Sequence, residues 1–384
     1  MKKLVVIFLV MLLLCPMVVK ADDNTLIPNA KSGVLMEEST GKIIFEKNKD
    51  EKVAVASMTK MVAQILILEA IEKGQIKWTD KVTASANASS MGGSQIFLEE
   101  NEIMKVEDML KGVTIGSAND ATVALAERIA GTEEAFVSLM NKKAKELGLK
   151  NTNFKNCTGL DEANHYSSSY DMAMIAKELV KHSKILEFSS IYETYLRTDT
   201  DNKFWLVNTN KLVRFYKGVD GLKTGYTDSA GYCLTATINK EGMRLIAVGM
   251  GENTSSERNK EVSALLDYGY NLYQKEVYLN KDEVLGTKEV EKGIDRVANI
   301  VLNEDVASIN KKGYKVGELT YELDVKNLKA PIKKGEIVGS LTVKEDGKII
   351  NKVDVTVDKN IDKAGLFTMY IRHLEDIVKG NIKF

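Results

Sequence analysis

Proline, histidine and cysteine are scarce in this chain of 384 residues, with three of each. Three prolines leave domain junctions unmarked, so organisation has to be read from changes in hydrophobic period. The histidines, His165, His182 and His373, show no ligand spacing; capping or surface roles suffice for them, and no metal centre is expected. Cys157 and Cys233 are the cysteines that remain beyond the N-terminal segment. Two cysteines do not make a disulfide framework, and they read as buried thiols. Charge of one sign is also missing: 53 Lys and Arg meet 54 Asp and Glu, a formal net charge of −1. Such a balance gives no general attraction to nucleic acid. There are no internal repeats and no low-complexity segment. What is present is ordinary for a folded soluble protein, 44% hydrophobic and 28% charged, with room for two domains and a sizeable core.

The chain opens "MKKLVVIFLVMLLLCPMVVKADD". Two lysines, an apolar run broken by Pro16, then Val19 and Ala21 form a secretory signal, cut after Ala21. A retained membrane-spanning helix would be short, and Leu14 before Cys15 with Pro16 after it makes a poor lipoprotein site. The protein is expected to be exported, to the outer face of the cytoplasmic membrane and the cell-wall space. "SGVLMEESTGKIIFEKN" then reads as a hairpin turning at Gly41. A long apolar helix starts at Ser57. From about Lys105 to Gly148 the pattern is helical, with Phe136, Leu139, Met140, Ala144 and Leu147 at spacings of three and four. "YDMAMIAKELVKH" is a further helix. Strand-like runs follow in "KFWLVNTN", "GVDGLKTGYT", "AGYCLTATIN" and "MRLIAVGMG", and "EVSALLDYGYNLY" is a helix. Strands at both ends of this segment imply one sheet with a helical lobe inserted. The expected organisation is a main domain over residues 22–274, a small β domain of short alternating strands over 275–360, with turns such as "KEDGK", and a terminal helix over 361–384.

Three short elements could build one site: S-M-T-K at Ser57 to Lys60, S-A-N at Ser117 to Asn119, and K-T-G at Lys223 to Gly225. Each is weak alone. S-x-x-K recurs at Ser39/Lys42 and Ser308/Lys311, and S-x-N at Ser85/Asn87 and Ser308/Asn310; K-T-G occurs once. A serine that merely caps a helix and a lysine on its surface would explain the first element. Context raises the signal. At a helix start, Ser57 and Lys60 share a face one turn apart, and the N–H of Ser57 is among the unpaired donors available to an oxyanion. Ser117 falls between two helices. K-T-G falls in a strand, where Gly225 lets a substrate backbone lie alongside. Together they are three walls of a cleft between sheet and helical lobe.

This combination of elements is the one that marks penicillin-binding proteins and class A β-lactamases. The chain resembles the D-alanyl-D-alanine carboxypeptidases among the low-molecular-mass penicillin-binding proteins, most closely the sporulation-associated type of endospore-forming bacteria. The likeness extends over "ASMTK", "MGGSQIFLE", "GSANDATVALAERIAGTEEAFVSLMNKKAKELGLKNTNFKN", "GLDEANHYSSSYDMA", "KFWLVNTNKL", "VDGLKTGYTDSAGYCLTATI" and the terminal helix. It selects Ser117 over Ser85. The implied fold is the serine penicillin-recognising α/β (α+β) fold: an antiparallel sheet plus helical lobe, then a small all-β domain and a C-terminal amphipathic helix.

The resemblance also implies the chemistry. Ser57 attacks the carbonyl of the penultimate D-alanine of a peptidoglycan stem peptide, and water hydrolyses the acyl-enzyme. Lys60 is the general base. Its amine, ordinarily near 10.4, must then fall by about three pH units, ~4 kcal/mol, through desolvation and the charge of Lys223. Ser117 relays a proton to the leaving amine, and Asn119 holds the peptide and orients Lys60. Lys223 and Thr224 receive the terminal carboxylate. The N–H of Tyr226 is the second oxyanion donor. Arg258, in "SSERNKE", is placed to add positive potential near that carboxylate, although a surface helix position explains it equally well. β-Lactam antibiotics are expected ligands, and no cofactor or metal is implied. Two departures stand out: Ala118 where glycine is common, a methyl that could narrow the cleft, and Tyr226 where some relatives have histidine.

Rival readings fit less well. A β-lactamase would need E-x-x-x-N between the second and third elements, and Glu162 precedes Asn164 by two. Endopeptidase or transpeptidase action changes only the leaving group or acceptor at the same site, and a non-catalytic wall-binding protein would not need every motif hydroxyl and amine. In the terminal stretch, at about 100° per residue, Leu366, Phe367, Tyr370, Ile371, Leu374, Ile377, Val378, Ile382 and Phe384 share one side. Thr368, Arg372, Glu375, Asp376, Lys379 and Lys383 share the other. This helix is expected to hold the protein on the membrane surface; docking on the β domain is the alternative.

Overall fold

The structure, a computed structural model, describes residues 25–378. The signal segment and the last six residues, with Ile382 and Phe384 of the terminal helix, lie outside the described residues.

Five antiparallel strands form the central sheet, in the order Ile43–Lys47, Ser32–Glu37, Met243–Glu252, Gly231–Lys240, Val219–Thr227. The first hairpin thus pairs with a strand more than 200 residues later, Val34 opposite Val248 and Met36 opposite Ile246. The side-chain period of two sorts these strands between two cores. Val34, Met36, Cys233, Ile246, Val248 and Met250 face the helical lobe. Leu35, Leu234, Ala236, Ile238, Leu245 and Ala247 face the other way, against Val262, Leu265 and Leu266 of the Ser255–Leu272 helix. A sheet covered on both faces must be apolar on both, which is why these strands read as continuous apolar runs.

The lobe is built around the Lys60–Glu72 helix, apolar nearly all round and buried accordingly. Packed about it are the helices Asn119–Ala130, Glu133–Glu146 and Ser169–Leu179. In the Glu133–Glu146 helix Phe136, Met140 and Ala144 are buried as their spacing predicts, but Leu139 is exposed. "KFWLVNTN" joins no main sheet: Phe204–Val207 pairs with Glu193–Leu196 as a separate hairpin.

The Ser255–Leu272 helix runs straight into the strand Tyr273–Leu279, which pairs with Val306–Lys311. A six-stranded sheet follows, in the order Leu319–Val325, Gly339–Glu345, Lys348–Val357, Val297–Leu302, Val284–Glu291, Leu328–Lys329, with its own core. Its "KEDGK" turn puts Asp346 and Gly347 at φ 49° and 79°, the pairing of positive dihedrals that lets a two-residue hairpin follow strand twist. The Leu366–Val378 helix has no buried residue. Its polar side holds the β domain: Arg296 pairs with Asp376 at 3.0 Å and Glu375 at 3.3 Å, and Arg372 donates to the carbonyls of Gly293 and Ile294. The apolar side faces solvent, so the helix does not dock through it.

Candidate active site

The chain before Lys60 is a 3₁₀ turn, Ala56–Thr59, and the α-helix begins at Lys60 itself. Ser57 caps nothing. Lys60 Nζ instead donates to Ser57 Oγ at 2.8 Å and to the carbonyl of Thr158 at 2.6 Å. The lysine is fully buried. Burial drives its amine down to about 7, while Cys157 and Asp120 pull it the other way. Lys223 was expected to help depress Lys60, but burial is the dominant cause and is enough to lower it. Lys223, also buried, is pushed well below its usual range by burial first, then by Lys60 and Arg258.

The Thr158 carbonyl had no signal in the sequence, because a backbone acceptor carries no residue type. Its loop is fixed by Asn156, whose side chain accepts from the N–H of Gly159 at 2.7 Å and the hydroxyl of Thr158 at 3.2 Å. Gly159 sits at φ +84°, where an added Cβ would lie 1.9 Å from the carbonyl oxygen of Ala56. Only glycine lets this loop press against the turn that carries Ser57.

Ser117 ends a π-turn, Gly112–Gly116, in the left-handed region at φ 65°. Its hydroxyl is buried and has no hydrogen-bond partner among the described residues. Asn119 starts the next helix and donates from Nδ2 to the carbonyl of Gly92 at 2.7 Å, leaving Oδ1 unpaired. It does not orient Lys60; Ser57 and Thr158 do. Ala118 is wholly buried in the lobe core, so its methyl does not narrow the cleft.

Val219–Thr227 is the free edge of the sheet. Gly225 has a use that the sequence did not show: a Cβ there would meet Val55 O at 2.8 Å, Ala56 Cβ at 3.1 Å and Ser57 N at 3.2 Å. The missing side chain brings the strand against the Ser57 turn. Thr224 donates to Thr209 Oγ1 at 2.8 Å. Tyr226 is half exposed, stacked near Tyr232 at 4.3 Å with its hydroxyl on Asp228.

These elements enclose a cleft of about 440 Å³, lined by Ser57, Ser117, Thr224, Gly225, Tyr226 and Arg258 among others. Lys60, Lys223 and Asn119 lie just behind its surface, buried. Arg258 is no surface residue; it is 5% exposed and touches its neighbour Asn259. Sequence reasoning missed Ser94, Thr209 and Lys211, which also line the cleft and stand on loops without a motif. Cys157 and Cys233 are buried free thiols, pushed up by burial, Cys233 to about 12. His165 is buried and driven to about 4 by that burial. Its Nδ1 accepts from the Lys155 N–H, so Nε2 carries the proton toward Thr59 Oγ1 at 2.7 Å.

Fold and site together define a serine enzyme of the penicillin-recognising type, with a serine hydroxyl and a buried lysine amine in contact at the joint of sheet and helical lobe. The family of D-alanyl-D-alanine carboxypeptidases (Peptidase_S11) matches residues 19–254, and the C-terminal domain of penicillin-binding protein 5 matches residues 273–363. The chain belongs to the D-alanyl-D-alanine carboxypeptidase family, which are serine hydrolases. It is 50% identical over 351 residues to the D-alanyl-D-alanine carboxypeptidase DacF of Bacillus subtilis, covering 91% of this chain and 90% of that one. It is 33% identical over 372 residues to DacA of Escherichia coli, covering 92% and 91%. Penicillin-binding protein 5 of Haemophilus influenzae superposes with a TM-score of 0.70 at 33% identity, over 87% of this chain and 98% of that one. The ampicillin-bound penicillin-binding protein D2 of Listeria monocytogenes gives 0.57 at 29% identity, over 63% and 98%.

Proposed function

We propose that the protein removes the terminal D-alanine from peptidoglycan stem peptides through an acyl-enzyme on Ser57, limiting cross-linking, and that penicillins acylate the same hydroxyl. The observation that carries the assignment of roles is the 2.8 Å contact between Ser57 Oγ and a fully buried Lys60 amine held near 7. A neutral amine has two N–H groups and one lone pair. The Thr158 carbonyl takes one N–H, which leaves the lone pair free to turn toward Ser57 and accept its proton during attack. The hydroxyl of Ser117, without a partner of its own, passes a proton on to the departing amine. The N–H groups of Ser57 and Tyr226 receive the oxyanion. A peptide lying along the open strand edge brings its terminal carboxylate to Thr224, Lys223 and Arg258. That negative charge raises the affinity of Lys223 for its proton, so the carboxylate and the ammonium stabilise each other.

The protein is exported by the segment that ends at Ala21 and is held at the membrane surface by its terminal helix. Support comes from the outward apolar side: Leu366, Phe367 and Val378 are each more than three-quarters exposed. Among the described residues no helix is long and apolar enough to cross a membrane, so anchoring is by partial insertion, with burial of each large side chain contributing up to about 1.5–3 kcal/mol.

The test is release of D-alanine from a peptide ending D-Ala-D-Ala, beside its C-terminal amide and a cross-linked muropeptide. Turnover of the free acid well above the amide is expected; equal turnover points to an endopeptidase. Ending the mature chain at Lys359 should move active enzyme to the soluble fraction, and retention on membranes would remove the helix from this role.

A further inference from the structure

Beside the catalytic cleft lies a larger groove of about 690 Å³. Two segments run from one to the other. Ser94 lines the cleft, and Ile96 and Phe97, two and three residues on, line the groove. The Phe204–Val207 strand puts Val207 in the cleft and Phe204 in the groove. Three strand residues span about 10 Å, so the groove begins where three or four extended substrate residues beyond the cleft would end.

Phe97 is held out into this groove against its own preferences. It is 65% exposed and has φ 56°, a strained conformation for a bulky side chain. Two clamps enforce it. The buried carboxylate of Asp120, next to Asn119, accepts from the N–H groups of Ile96 at 3.2 Å and Leu98 at 2.9 Å. On the far side Arg197 donates to the carbonyls of Ile96 at 2.9 Å and Phe97 at 3.2 Å, and is itself fixed by both oxygens of Glu102. Packing does not account for the expense, since the ring ends in water with an edge-on contact to Phe204 at 5.9 Å. Strain that the surroundings over-determine concentrates at ligand sites. Tyr195, 49% exposed, supplies a second aromatic to the groove.

The remaining lining identifies the ligand class. Lys81, Lys105 and Arg197 line the groove together with Glu99, Glu102, Asp108 and Asp199, and Arg197 pairs with Glu102, so the two signs nearly cancel and neither an anion nor a cation is strongly favoured. Aromatic faces ringed by hydrogen-bonding groups of both signs suit an uncharged ring with an apolar face and a polar rim. We propose that this groove is a carbohydrate subsite, taking an N-acetylated amino sugar of the glycan that carries the stem peptide. The proposal rests on the reading that the cleft acts on such peptides.

The experiment compares kcat/KM for a disaccharide-pentapeptide and for the bare pentapeptide, using the full mature chain. The sugar-bearing substrate is expected to be preferred, and Phe97→Ala or Tyr195→Ala should each cut that preference by up to about tenfold, the scale of one aromatic contact. Tri-N-acetylchitotriose should perturb the fluorescence of Trp205, which lies opposite Tyr195 in the hairpin register, and this response should weaken in Tyr195→Ala. Equal use of both substrates by the wild type overturns the subsite, as does a preference that both variants leave intact. Failure to release D-alanine from either substrate would instead strike the carboxypeptidase reading.

Discussion

The Ser57 turn and the β domain both carry S-x-x-K, and only in the first do the serine and lysine side chains meet. On the strand Val306–Lys311, residues three apart point to opposite faces. Ser308 there bonds Tyr278 and Asn310 while Lys311 stands in solvent. A third copy spans a β-turn, where Ser39 bonds Glu37 and Lys42 reaches the carbonyl of Ile309. In the Ser57 copy the chain winds helically, so the same spacing places Nζ 2.8 Å from Oγ. The decoy S-x-N elements part in the same way. Ser85 caps a short helix by accepting from the N–H of Ala88 at 3.0 Å, whereas Ser117 is buried with nothing to bond. A motif becomes a site where local geometry turns its groups together and burial keeps other partners away.

The largest effect should come from removing the nucleophile. Ser57→Ala is expected to abolish the mass increase on incubation with penicillin, while Ser39→Ala and Ser308→Ala keep it. The opposite pattern in intact-mass analysis would mean that another copy is the reactive one. Next, Lys60→Arg keeps a cation that cannot act as a free base, so acylation should slow by about 10²–10⁴-fold; near-normal rates would put the base elsewhere.

A pH series sharpens the same contrast. Only the neutral amine accepts a proton, and Lys60 is held at about 7. Acylation should therefore fall about tenfold per pH unit below 7 and level off above it. A limb centred near 10 would show that burial does not depress this lysine. Stability separates two glycines, the second with the smallest effect of all. Gly159→Ala forces a methyl onto the Ala56 carbonyl and should cost about 3 kcal/mol or more, together with penicillin binding. Gly347→Ala, in the β-domain turn with open space around it, should cost about 1 kcal/mol and leave acylation alone. Thermal melts paired with labelling decide it.

Much of the architecture was legible along the chain. Runs of apolar residues announced the sheet strands, spacings of three and four the helices, and the return of strands after the helical block the closure of one sheet from both ends. Those signals are legible because side-chain periods are local. Leu139 and "KFWLVNTN" were misplaced for a related reason: a period says that a residue faces an apolar side or a strand partner, not whether a partner is there.

The sequence by itself determined which hydroxyls and amines were available and which pairs could meet on one turn of chain. It also determined the division of the terminal helix into two sides. Tertiary structure alone decided that Lys60 loses its water and drops to about 7, and that a carbonyl of Thr158 takes its second hydrogen bond. It alone decided that Gly225 makes room for the Ser57 turn. The physical reason is common to all three. Desolvation, backbone acceptors and close approach depend on atoms brought together from distant parts of the chain, and no spacing within one segment records them.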